Sequence, residues 1–373
     1  MDDKFSIRPF QETDLKEFDV LIKEHWNSDH IYLHSQKLMQ WQYEGYGVKK
    51  GFHFPLLFCE GKIIGFRGII PSELRIPVDD TIIIEPVAIA ALYLIEPKFR
   101  GQKLGLALQQ YTTQNYVNFF SIASNLSTSA PIYRKSGYSM LDEMLRYILP
   151  LNENYAGLLL TPNDNYRQYL FDSGCNVENP VSFTASEMED FWIKSIGDKK
   201  ILSMNKSCDF WEWRYLNSPV YKYIFFGGIG KGGLIVARVC KLYNDKQLRD
   251  ETFLRILELV PENSDVWDGK SDVELIQLLK GIFKWAQQNE CTGVDFYSTT
   301  HSFASSLEAA GMREINEQYE NKKLEVFSYF EPVTTSKRLC NVSVFLSDHQ
   351  MDVDFDKTYF TLADSDQDRP NIL

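Results

Sequence analysis

Apolar and polar positions set out a repeating order of elements. Phe5-Ser6-Ile7-Arg8-Pro9 alternates with a period of two and predicts a first strand. Gln11-Glu12-Thr13-Asp14 then opens a helix whose apolar positions Leu15, Phe18, Leu21 and Ile22 fall at helical spacing. A second helix is expected over 35–43, and a strand over 55–59. Glu60-Gly61-Lys62 supplies a hairpin turn, Gly being cheap at positive φ, and 63–70 returns antiparallel. A long strand, 87–95, leads to a helix over about 101–118 with Leu104, Ala107, Leu108 and Tyr111 on one face. A strand near 119–123, a short helix near 131–136 and a strand over 141–149 complete this half.

The second half repeats the order: a helix at 210–215, a hairpin of 223–227 with 233–241, a strand at 252–260, a helix at 272–290, a strand at 293–297 and a helix at 303–310. Trp41-Gln42-Tyr43 precedes the hairpin in the first half, and Trp213-Arg214-Tyr215 precedes it in the second. A shared tripeptide within a repeated element order predicts duplication of one fold. The expected class is α/β with a mixed sheet, built as 1–150, a connector at 151–180, and a second copy at 181–373.

Composition narrows the functions. The 373 residues carry a net charge of −12, which argues against a nucleic-acid partner, since that needs clustered Lys and Arg. No stretch reaches the ~18 to 20 apolar residues of a membrane span. The six cysteines form no CxxC pair, so neither a zinc site nor a disulfide framework is expected. Reduced thiols, with an acidic N-terminus lacking an apolar leader core, predict a cytoplasmic protein. His25, His30 and His34 lack a metal-ligand spacing, so no metal is expected. Asp364-Ser365-Asp366-Gln367-Asp368-Arg369-Pro370 lacks the Gly and distal Glu of a calcium loop and reads as a polar turn.

The chemistry concentrates at Tyr93-Leu94-Ile95-Glu96-Pro97-Lys98-Phe99-Arg100-Gly101-Gln102-Lys103-Leu104-Gly105, a strand running through a turn into a helix. The first turn of a helix leaves backbone N–H groups unpaired, and the helix dipole adds partial positive charge there. Such a terminus suits a pyrophosphate. Arg100 and Lys103 add positive charge, while Gly101 and Gly105 leave room for close approach.

This run resembles the cofactor loop of the GCN5-related N-acetyltransferase superfamily, Arg/Gln-x-x-Gly-x-Gly/Ala. Lys103 stands at the middle glycine, a replacement suited to ordinary helical backbone with an outward side chain. Ser129-Ala130-Pro131-Ile132-Tyr133-Arg134-Lys135-Ser136-Gly137-Tyr138 is similar to the second signature of that superfamily, Tyr-x-x-x-Gly-aromatic. The resemblance covers roughly residues 5–150, and in the second half only the element order and Leu307 to Met312. It implies two tandem acyl-CoA N-acyltransferase domains, the second a degenerate copy that shapes the acceptor side.

The same resemblance implies transfer of an acetyl or other acyl group, with acetyl-CoA (acyl-CoA) as co-substrate, to a small-molecule primary amine such as that of an amino sugar or sugar nucleotide. The edge Tyr93-Leu94-Ile95 would bind pantetheine, with a backbone N–H of Tyr93 or Leu94 polarising the thioester carbonyl. The loop Arg100, Gly101, Gln102, Lys103, Leu104 and Gly105 would hold pyrophosphate. Asn125 would lie near the cofactor, and Tyr133 would protonate the departing thiolate. Glu85 and Glu96 are the carboxylates nearest the strand in sequence, and no base is assigned. A homo-oligomer stays open. Two rival readings remain, a peptidyltransferase of the FemABX type and a non-catalytic CoA-binding scaffold.

Overall fold

A computed structural model describes residues 3–114, 116–152, 176–241, 251–315, 340–346 and 352–368. Most of the expected connector, 153–175, lies outside them.

The first half contains β1 (Phe5–Pro9), α1 (Leu15–His25), α2 (Ile31–His34), α3 (Gln36–Glu44), β2 (Pro55–Cys59), β3 (Lys62–Val78) and β4 (Thr81–Ile95). It continues with α4 (Leu104–Thr113), β5 (Asn118–Ile122), α5 (Ser129–Lys135), β6 (Ser139–Leu141) and β7 (Leu145–Pro150). The second half contains α6 (Ala185–Ile196), β8 (Leu202–Met204), α7 (Cys208–Trp211) continued by a π-helical turn over Glu212–Leu216, β9 (Ile224–Gly228), β10 (Gly233–Lys241) and β11 (Thr252–Pro261). After these come α8 (Val273–Gln288), β12 (Cys291–Ser298), α9 (Ala304–Ala310), β13 (Arg313–Glu314), β14 (Val342–Leu346) and β15 (Thr358–Tyr359). The fold is mixed α/β, as the periodicities predict.

Two mixed sheets result. One runs β1-β2-β3-β4-β5-β14-β6, with β8 and β15 added beside β3, and the other runs β13-β7-β12-β11-β10-β9. From β2 and from β9 the two follow the same pattern: an antiparallel hairpin, a third antiparallel strand, a parallel neighbour, then two antiparallel strands.

The fifth place in each pattern is filled by the other half of the chain. β14 sits between β5 and β6, with Val344 opposite Phe120 and Ser139. β7 sits between β12 and β13, with Ile148 opposite Asp295 and Arg313. The single strand expected over 141–149 is therefore two strands in different sheets. The polar pair Asp142-Glu143 falls at the break, where the chain crosses from one sheet to the other.

The shared Trp-x-Tyr motifs meet at the junction. Trp41 and Trp213 stack with ring centroids 5.3 Å apart, and each indole N–H donates to the other's backbone carbonyl at 2.9 Å. Each half-buried indole donor is thereby satisfied by its counterpart. Arg75 of β3 donates to the carbonyls of Lys199 and Ile201 at 3.0 and 2.8 Å, fixing the chain just after α6.

The tail is drawn inward. Asp364, read from sequence as part of a polar turn, is buried and pairs with Lys206 at 3.0 Å, while Lys206 also meets Glu258 at 2.6 Å. An ion pair this deep persists only because each member has hydrogen-bonding partners; Tyr215 and Tyr359 both donate to Glu258 at 2.9 Å. Desolvation pushes the Glu258 carboxyl above its ordinary range, with Lys206 opposing that rise.

Because β14 is buried in the first sheet, the halves should unfold together. Val344→Ala is expected to cost about 2 kcal/mol and to lower one denaturation midpoint, with circular dichroism and tryptophan fluorescence still coincident. Two separated transitions would contradict the exchanged-strand arrangement.

Candidate functional site

β4 pairs with β5 in parallel only from Val87 to Ile89, against Asn118 to Phe120. It then runs on to Ile95 with its ladder to β3 alone: Arg67 faces Tyr93, Phe66 faces Leu94 and Gly65 faces Ile95. The register slips between Arg67 and Ile69, so β4 carries an extra residue there. Such a bulge bends its strand. One edge of β4 past Ile89 is thus left without a described strand partner, next to the gap between β4 and β5.

The turn at the end of β4 begins with a short helical turn at Pro97–Phe99. Arg100 is exposed, and its Nε donates to the Ile95 carbonyl at 3.0 Å, folding the turn back on the strand. Gly101 has φ +82°, and a Cβ there would meet open space, so its value is conformational. Gln102 is exposed. Lys103 has φ 61° and ψ 9°, the left-handed conformation, rather than ordinary helical backbone. The chain keeps the glycine geometry at this position with a lysine, at a cost of about 1–2 kcal/mol.

α4 starts at Leu104, and no side chain caps its N-terminus. Leu104 is buried with Phe5, Leu57, Ile64 and Leu108, anchoring the helix on the sheet. Gly105 faces the strand: a Cβ there would lie 2.4 Å from the Tyr93 hydroxyl. Its job is close helix–strand packing, distinct from the phosphate clearance that spacing suggested. Burial pushes the Tyr93 phenol up to about 12, with the Arg67 charge opposing that rise.

The corresponding helix of the second sheet is closed. Asp272 caps α8 by accepting from the Leu275 N–H at 2.7 Å. A carboxylate occupies there the position that in α4 is left open.

α5 lies on the same face of the first sheet as α4. Tyr133 is buried among Ile69, Ala88, Ala90, Phe119 and Tyr138, and stacks on Tyr138 at 4.9 Å. Its hydroxyl accepts from Arg67 Nη2 at 2.6 Å. Asn125 is exposed; its side-chain oxygen accepts from Ser127 N at 2.9 Å and Thr128 N at 3.1 Å, building the turn into α5.

Glu85 and Glu96 sit toward opposite ends of β4. Glu96 follows Glu85 by eleven residues, at most about 36 Å of extended chain. Glu85 accepts from Asn118 at 2.8 Å, and Glu96 pairs with Lys98 at 2.6 Å. Neither carboxylate lies in the gap. The histidines do not converge: His34 pairs with Asp29 at 2.7 Å on the surface, and buried His30 accepts from the Tyr32 N–H at 3.2 Å. Among the described residues no His/Cys/Asp/Glu group is placed to hold a metal, and no helix is long and apolar enough to cross a membrane.

Sequence reasoning missed Arg67. A signal was present: an arginine in Gly65-Phe66-Arg67-Gly68-Ile69, an apolar strand between two glycines, must point into the protein with half of its neighbours. The flanking glycines serve close packing of their own, since a Cβ on Gly68 would strike the Tyr43 ring and one on Gly65 the Leu94 carbonyl.

Neither a protein-family profile nor a curated protein matches the chain at the level of sequence. Solved structures do match its fold. Saccharomyces cerevisiae N-myristoyltransferase with bound myristoyl-CoA is similar with a TM-score of 0.54 and 10% identity, over 92% of this chain and 83% of that one. A probable N-acyltransferase from Enterococcus faecalis V583 is similar with a TM-score of 0.53 and 9% identity, over 93% and 73%. A GCN5-related N-acetyltransferase from Anabaena variabilis has a TM-score of 0.50 and 12% identity, over 93% and 74%. The chain therefore has a fold of the type shared by GCN5-related N-acetyltransferases and N-myristoyltransferase.

Two outcomes follow from the local geometry. Gly105→Ala drives a methyl into the Tyr93 hydroxyl and should cost about 1–3 kcal/mol in urea denaturation. Burial also lowers the His30 pKa to about 4. The unfolded chain then binds the extra proton first, so stability should fall as pH drops from about 6.5 toward 4, by roughly 3 kcal/mol from this group. His30→Asn keeps an acceptor for the Tyr32 N–H and should flatten that part of the stability-versus-pH curve; an unchanged slope would refute the assignment.

Proposed function

We propose that the chain is an N-acyltransferase that moves an acyl group from acyl-CoA to a primary amine. The observation that carries this reading is the uncapped N-terminus of α4, at the end of a strand that parts from its parallel neighbour. Open amides, the dipole of a ten-residue helix and the cations Arg100 and Lys103 together suit a pyrophosphate. The contrast with α8, sealed by Asp272, supports a donor site in the first half. The second half then shapes the acceptor side.

In this reading Arg100, Gly101, Gln102, Lys103, Leu104 and Gly105 form the diphosphate turn. The open edge of Tyr93-Leu94-Ile95 pairs with the pantetheine amides as an added strand. A backbone N–H at the bulge polarises the thioester carbonyl. The neutral amine attacks that carbon, and Tyr133 gives its proton to the sulfur as the C–S bond breaks. The ammonium formed on the acceptor returns a proton to the tyrosinate, closing the cycle. Acetyl is the acyl group tested first, and an amino sugar or sugar nucleotide is the acceptor class. Asn125 serves by shaping the turn that presents α5.

Acetyl-CoA at a hundredfold excess over its Kd should stabilise the protein by about 2.7 kcal/mol. Arg100→Glu should remove most of that thermal shift while leaving the ligand-free melting temperature nearly unchanged, because Arg100 is exposed. Equal stabilisation of parent and variant would locate the diphosphate elsewhere.

A further inference from the structure

Arg67 is fully buried and has no carboxylate partner among the described residues. Nη2 donates to Tyr133, whereas Nε and Nη1, both shielded from solvent, make no hydrogen bond of normal geometry. The guanidinium is held between aromatic faces, 4.6 Å from the Tyr93 ring centroid and 5.0 Å from that of Phe119. Elsewhere the fold pairs its deeply buried arginines: Arg255 with Asp295 and Arg214 with Asp368. A buried cation left without a counter-ion is costly. Its position fits a site where negative charge appears during the reaction.

We propose that Arg67 is the positioning residue for proton donation by Tyr133, and the counter-charge for the anion that this donation leaves. The inference rests on the acyl-CoA reading above. A guanidinium can only donate hydrogen bonds. The 2.6 Å contact therefore occupies a lone pair of the Tyr133 oxygen and turns its O–H proton away from Arg67. No described protein acceptor takes that proton, which is aimed at the departing sulfur instead. As the tetrahedral adduct collapses, the C–S electron pair goes to sulfur, and the phenol proton follows it to give CoA–SH. The negative charge moves to the Tyr133 oxygen, directly against the guanidinium. Proton return from the acylated nitrogen then restores the phenol. Tyr93 from β4, Tyr133 from α5 and Tyr138 just beyond α5 are the titratable groups that feel Arg67, while β5 presents Phe119. None of these side chains is a carboxylate, so the anion formed has no carboxylate competitor for the guanidinium among the described residues.

The test uses the intact protein with CoA itself. Calorimetry first measures CoA binding; the thiol of bound CoA is then titrated by its thiolate absorbance. In the parent complex the thiol should ionise about one pH unit or more below free CoA, because the donor pair favours the anion. Arg67→Gln should bind CoA with similar affinity and abolish that shift, and Arg67→Lys should restore part of it. In a Tyr133→Phe background, Arg67→Gln should have no further effect. Absence of CoA binding to the parent overturns the acyl-CoA reading and this proposal together. Binding with a thiol that titrates as in free solution overturns this proposal alone, and that measurement needs no variant to fold. A shift that survives Arg67→Gln, or an Arg67 effect that persists without the Tyr133 hydroxyl, rules out action through Tyr133.

Discussion

Each sheet is completed by a strand from the opposite half of the chain, and the rest of the architecture depends on that exchange. β14 fills the space between β5 and β6, and β7 the equivalent space in the second sheet. With β14 securing its far edge, β5 can part from β4 after Ile89 without being left as a lone strand. The gap beside the candidate donor site is thus stabilised from a distance. Trp41 and Trp213 join the same two halves with reciprocal hydrogen bonds, so the junction is a specific lock as well as a hydrophobic contact.

The candidate site shows how small local choices separate two similar frameworks. Both halves place a helix after the strand that begins the parallel pair. In α8 Asp272 supplies the acceptor that its first-turn amides need; in α4 no side chain does. One carboxylate therefore distinguishes the two helix ends: it fills the first turn of α8 and has no counterpart at α4. Lys103 shows the opposite economy, since it holds a left-handed conformation that glycine would adopt freely and brings a positive charge to the turn.

Much of this was legible because local chemistry and tertiary context agree. The apolar spacing of Leu275, Leu279, Ile282 and Phe283 marked α8, and all four are buried. Glu60 and Gly61 both take positive φ in the turn where a hairpin was expected. The expected strands 63–70 and 87–95 fall short of β3 and β4, whose ladder runs on to Val78 and Thr81 and takes in Pro71, Pro77 and Pro86. The exchange of β7 and β14 carries no local signal: a strand's pattern shows that one face is buried, not which sheet receives it. Arg67 was overlooked for a different reason. A lone arginine is ordinarily a surface residue, and that expectation outweighed the apolar strand around it.

The exchange also bears on synthesis. A chain leaving the ribosome has made β5 long before Val342–Leu346 exists, and with more than two hundred residues still to come, at ~5–20 residues per second, the edge of β5 that β14 will cover waits for more than ten seconds. An uncovered strand edge is a template for pairing with other chains. The architecture that locks the two halves together therefore leaves the nascent chain exposed, and the first sheet closes only once Val342–Leu346 has been made.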